Sequence, residues 1–196
     1  MHIKDKVKEV AGKILFELTI VSAGILLALA VNSWYQGYQQ RLQADNLLKK
    51  VEFEINNNLK SLQQVSATFA SSIAQTNGYL STLSAGKSTE FDYELRILDV
   101  DFAVWKFSQH RAELDQLPVE LLIDISESYR ALEKAESLTN ELAFSKMEQI
   151  AADMDGKEEA VLKKLLIELK QVQFHLNVAQ GKMQKSIQVI NQYHEA

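Results

Sequence analysis

Cysteine is absent from all 196 residues, proline occurs once, at Pro118, and glycine only seven times. The first absence excludes a disulfide framework, a thiolate metal site and a cysteine nucleophile. The other two leave too few turn-formers for a many-stranded β fold and favour long helices. The length suits one domain with an appendage. Basic charge is also scarce: from residue 18 onward 17 basic side chains face 23 acidic ones. The electrostatic footprint of a nucleic-acid binder is therefore missing, and no nucleic-acid partner is expected.

Catalytic and metal-binding patterns are missing as well. Gly86-Lys87-Ser88 imitates the end of a phosphate loop, but the glycine required five residues earlier is Ser81. It reads as a helix-ending turn. Asp153-x-Asp155-Gly156 lacks the remaining ligands of a calcium loop and reads as a helix C-cap. A di-metal bundle site needs Glu-x-x-His pairs, and His110, His175 and His194 all lack a glutamate three residues before them. No Ser-His-Asp or Gly-x-Ser-x-Gly arrangement is present. These readings lead us to expect no enzyme activity, no cofactor and no metal.

What the chain does have is one long apolar run. Residues 14–35 read ILFELTIVSAGILLALAVNSWY, with Glu17 as the only charge. As a helix they would extend about 33 Å, enough to cross a hydrocarbon core of about 30 Å. Lys4, Lys6, Lys8 and Lys13 precede the run, whereas Trp34, Tyr35 and Tyr38 follow it as interfacial aromatics. Lys13, Trp34 and Tyr35 are thus expected at the two membrane interfaces. The lysine bias predicts a cytoplasmic tail over residues 1–13, a span over 14–35 and an extracytoplasmic domain over 36–196. Ala28-Leu29-Ala30 has the small-x-small form of a secretory cleavage site, but it lies inside the apolar run with no polar region before it. A buried core helix is the third reading, and the asymmetric flanks weigh against it.

Helical spacing gathers Glu17, Gly24, Ala28 and Asn32 into one stripe. Small residues let another backbone approach closely, and an amide can hydrogen-bond across helices in lipid. The stripe is a candidate docking face for a second copy or another membrane protein. Equally, Glu17 can snorkel to the headgroups beside Lys13, leaving the small residues incidental.

Beyond the run the pattern changes to amphipathic helices. Leu48, Val51, Ile55, Leu59, Leu62, Val65, Phe69, Ile73, Thr76, Leu80 and Leu83 recur at spacings of three and four. A second seam starts at Leu117-Pro118 and runs through Leu121, Leu122, Ile125, Tyr129, Leu132, Leu138 and Leu142 to Ile150. The third, Leu162, Leu165, Leu169, Val172, Leu176, Ala179, Met183, Ile187 and Ile190, keeps the alternation throughout. The expected fold is all-α: an N-terminal transmembrane helix continuing into an antiparallel, coiled-coil-like bundle of three long helices plus a short one.

The segment between the first two seams is different, with Phe91, Tyr93, Phe102, Trp105 and Phe107 inside 17 residues. Asp101 to about Gln109 is predicted as a short helix within loops that cap or cross the bundle. These aromatics either plug the bundle or wall a ligand or partner pocket, for which Phe102, Trp105 and His110 are the candidates.

The stretch from Gly24 to Trp34, GILLALAVNSW, followed by a long polar helix, resembles the anchor of a group of uncharacterised bacterial inner-membrane proteins. Trp105, Leu114, Pro118 and Tyr129 are similar to that group's second element, a tryptophan-bearing short helix before a proline-initiated one. The resemblance implies a bacterial envelope setting and no particular activity. The expectation is a single-pass inner-membrane protein, in contact with lipid, whose periplasmic bundle acts as an accessory or scaffold subunit or self-assembles. The alternative is a sensory or ligand-binding bundle working with a signalling partner.

Overall fold

A computed structural model describes residues 2–86, 95–146 and 158–195. Among the described residues the chain is helical with no strand. Helix α1 spans His2–Ser84, α2 Ala103–Ser108, α3 Val119–Glu141 and α4 Glu158–Glu195, with a 3-10 turn at Ala112–Gln116 and a π turn at Leu142–Lys146. The all-α architecture with three long helices and a short one is thus present. The chain divides into two compact units, Met1–Asp45 and Asn46–Ala196.

The first unit lies on α1, whose apolar stretch fits a membrane span in length and composition. Its side chains are exposed among the described residues: Ile14, Leu15, Phe16, Ile25, Leu26 and Leu27. Among the described residues, none of those in the stretch 14–35 is buried.

The second unit is the bundle. Lys182 pairs with Glu127 and Lys185 with Asp124, so numbering falls along α3 as it rises along α4, and the two are antiparallel. The same logic applies to α1 and α4, where the Gln180 amide donates to the Leu62 carbonyl and the Gln173 amide to Ser66 Oγ. With both antiparallel to α4, α1 and α3 run the same way. The connection between them must therefore return along the bundle, as a crossover rather than a tight turn.

The core is built from Leu48, Val51, Ile55, Leu62, Val65 and Phe69 of α1, Leu121, Ile125, Tyr129, Leu132 and Ala135 of α3, and the α4 seam from Val161 to Ile190. Each buried Leu or Ile contributes about 1.5–3 kcal/mol of transfer free energy. At its N-terminus α4 carries Glu158 and Glu159, which suit the positive end of the helix dipole. Helix α1 ends where Gly86 adopts φ +70°, and the Gly86 amide donates to the Leu83 carbonyl.

Three differences from the sequence patterns are physical. Leu59 and Ile73 are only half-buried, because Glu54, Asn58, Ser66 and Ser72 occupy inner positions of α1. In α3 Ser128, Ala135 and Thr139 take inward places, whereas Leu138 is only half-buried. After Glu141 that helix widens into the π turn at Leu142–Lys146, which breaks the regular spacing of the seam there. Ile150, Asp153, Asp155, Gly156, Lys87, Ser88, Phe91 and Tyr93 lie outside the described residues.

Candidate functional site

Two places concentrate polar groups against apolar surroundings. The first is on the apolar part of α1, where Gly24, Leu27, Ala28, Val31, Asn32 and Tyr35 line one open groove. Gly24 and Ala28 contribute little or no side chain to it, and a Cβ added at Gly24 would meet nothing within 4 Å. Leu27, Val31 and Tyr35 bring the bulkier side chains of the lining, and Asn32 an amide. Three of the four stripe residues thus share the groove; Glu17 is not among its lining. At the end of the apolar run Trp34 stacks on Tyr38, ring centroids 6.3 Å apart, and the Gln39 amide donates to the Tyr35 hydroxyl at 3.0 Å. Glu17 and Lys13 are exposed.

The second place is where the crossover meets α1, and it is built on Glu54 and Asn58, one helical turn apart. Asn58 brackets the Asp101 backbone: its amide donates to the Asp101 carbonyl at 2.6 Å, and its Oδ1 accepts the Asp101 N–H at 2.8 Å. Asp101 in turn accepts the Ala103 N–H at 2.8 Å. Glu54 accepts the N–H groups of Val104 and Trp105, at 2.7 and 3.1 Å. The first amides of α2 have no partner within a six-residue helix, and Phe102 at its N-cap provides none. A carboxylate from another helix does what a capping side chain ordinarily does.

Glu54 has a third donor. The Tyr129 hydroxyl reaches its Oε1 at 2.5 Å, from α3. Glu54 is only 3% exposed, so these three donors replace water around a buried carboxylate. Burial, and then the Glu54 hydrogen bond, push the Tyr129 phenol well above its ordinary range. Trp105, 6% exposed, lies flat on the Tyr129 ring, with centroids 5.3 Å and planes 7° apart. Phe102 tilts against the same ring at 6.2 Å, and Lys106 sits over Phe102 at 4.9 Å.

Of the three proposed pocket residues, Phe102 and Trp105 therefore meet on Tyr129, whereas His110 is exposed beyond the end of α2. Glu54, Asn58 and Tyr129 complete the cluster. The sequence signal available for them was weak: Glu54 and Asn58 interrupt an apolar seam, but their partners lie 43 to 75 positions away. Among the described residues no group of three or more metal-ligating side chains comes together.

Nearby, burial raises the Glu136 carboxyl, opposed by Lys106 and reinforced by Glu133 and Asp99. On the outer surface the Lys182 ammonium holds Glu127 below the usual carboxylate range, and Asp124 raises Lys185.

No family model, curated protein or solved structure matches the chain.

Proposed function

We propose that this protein is a membrane-anchored accessory or scaffold subunit that works by protein contact. It sits in a bacterial inner membrane, N-terminus cytoplasmic and bundle periplasmic. The observation that carries this reading is the apolar stretch 14–35, long enough to cross a bilayer and exposed among the described residues. Lysines before it and aromatics after it support the orientation. Its resemblance to bacterial inner-membrane anchors supports the setting. The groove at Gly24, Ala28 and Asn32 supports a helix partner in the membrane, either a second copy or another membrane protein. A contact role outside the membrane is supported by Ile167, Phe174 and Val178, which leave an apolar stripe exposed on α4.

The test is gentle-detergent purification followed by mass spectrometry, comparing the natural chain with Gly24→Leu/Ala28→Leu. Filling the groove should reduce co-purifying protein or oligomer size. An unchanged complex would remove the groove from the proposal, and recovery of the natural chain in the soluble fraction would remove the anchor. Reporter fusions at the two termini check the orientation.

A further inference from the structure

The crossover carries more than a plug would need. Its described part from residue 95 to Ser108 contributes few buried apolar side chains, chiefly Leu98 and Trp105, whereas α4 buries a seam from Val161 to Ile190. Helix α2 has six residues, far below the length at which a helix holds itself in water. Its leading amides are satisfied by Glu54 and Asp101, and the Asp101 backbone by Asn58. Glu54 also receives Tyr129, so one carboxylate joins α1, the crossover and α3.

We propose that residues 95–108 form a latch, a two-state element that undocks from Glu54 and Asn58 as one cooperative unit while the bundle stays folded. Opening strands no single bond. It releases the Asp101 bracket, melts α2 and lifts Trp105 from Tyr129 together, because a six-residue helix does not hold itself in water without its external cap. The open state bares the Tyr129 ring and frees Glu54 to take water. Elements with few buried contacts open at a lower free energy than the core around them.

Native-state hydrogen exchange of the full chain in detergent micelles, across low urea concentrations, tests this. Val104 and Trp105 amides should share one urea dependence with Asp101 and open at least tenfold more often than amides in residues 165–183. The decisive variant is Asn58→Ala, which removes the two hydrogen bonds to the Asp101 backbone and none to α2. It should speed exchange at Val104 and Trp105 at least tenfold while leaving 165–183 unchanged. Acceleration at Asp101 alone would overturn the latch, as would a common rate for the crossover and α4 in the natural chain. Glu54→Gln should act like Asn58→Ala; acceleration of every region equally would mean that the cluster is structural only. Should either variant not fold, the natural chain's exchange pattern still decides.

Discussion

The Tyr129 hydroxyl and the Glu54 carboxylate meet at 2.5 Å across the α1–α3 interface, under the flat face of Trp105. The two differ in what their loss leaves behind. Glu54→Ala strands two amides and a phenol in a buried place, and unsatisfied buried donors cost about 1–3 kcal/mol each. We expect a loss of about 3 kcal/mol or more, read from urea unfolding in micelles. Tyr129→Phe leaves the carboxylate with both amides and should cost about 1 kcal/mol. Equal effects from the two substitutions would show that the carboxylate does not act as a shared acceptor.

Alkaline pH reports the same pair. The folded-state value for Tyr129 lies above that of an unfolded phenol, so its contribution is fully present below about pH 10 and is lost as pH rises further. Between about pH 10 and the unfolding point, this group should lower stability by about 1.4 kcal/mol per pH unit, a slope that Tyr129→Phe removes. Absorbance at 295 nm gives an independent check. Folded natural chain and Tyr129→Phe should show the same phenolate amplitude, since the buried hydroxyl does not ionise before the fold is lost.

How far these residues were legible depends on where their partners are. The α4 seam could be read directly, because it is almost entirely apolar and its partners are whole helix faces. On α1 the same rule placed Leu59 and Ile73 inside, but the inner places there belong partly to Glu54, Asn58, Ser66 and Ser72. Periodicity ranks side chains by polarity and cannot see a donor that arrives from 50 residues away in the chain, as the Val104 amide does. Trp105 stood out by composition; that it rests on Tyr129 depends on α1 and α3 running parallel, which forces the crossover back over that site.

Glu136 offers a test of the same sign in the acid range. Burial raises its carboxyl, so the folded state binds that proton more tightly than the unfolded chain. The favourable contribution exists below the unfolded value of about 4.3 and is lost as pH rises through the folded one. Glu136→Gln should therefore stabilise the protein at pH 7.5, by less than about 1 kcal/mol because solvent screens much of the effect. Near pH 3.5 the gain should vanish. A gain that persists there would assign it to packing rather than to charge.

A last prediction concerns the polar layer between α1 and α4. The Gln173 amide donates to Ser66 Oγ at 2.6 Å and to Asn177 Oδ1 at 3.0 Å, and Ser66 Oγ donates to Asn177 Oδ1 at 3.3 Å. Gln173 Oε1 is buried with no partner. Ser66→Ala alone removes an acceptor from that amide and should cost about 1 kcal/mol. Gln173→Leu removes the orphaned oxygen together with the amide, so it should be neutral or stabilising by up to about 1 kcal/mol. In the Gln173→Leu background, Ser66→Ala should then cost close to nothing, because the donor it would have stranded is gone. A double-mutant cycle from urea midpoints measures the difference. Strict additivity would mean that Ser66 and Gln173 do not depend on one another and that the layer is not held as a unit.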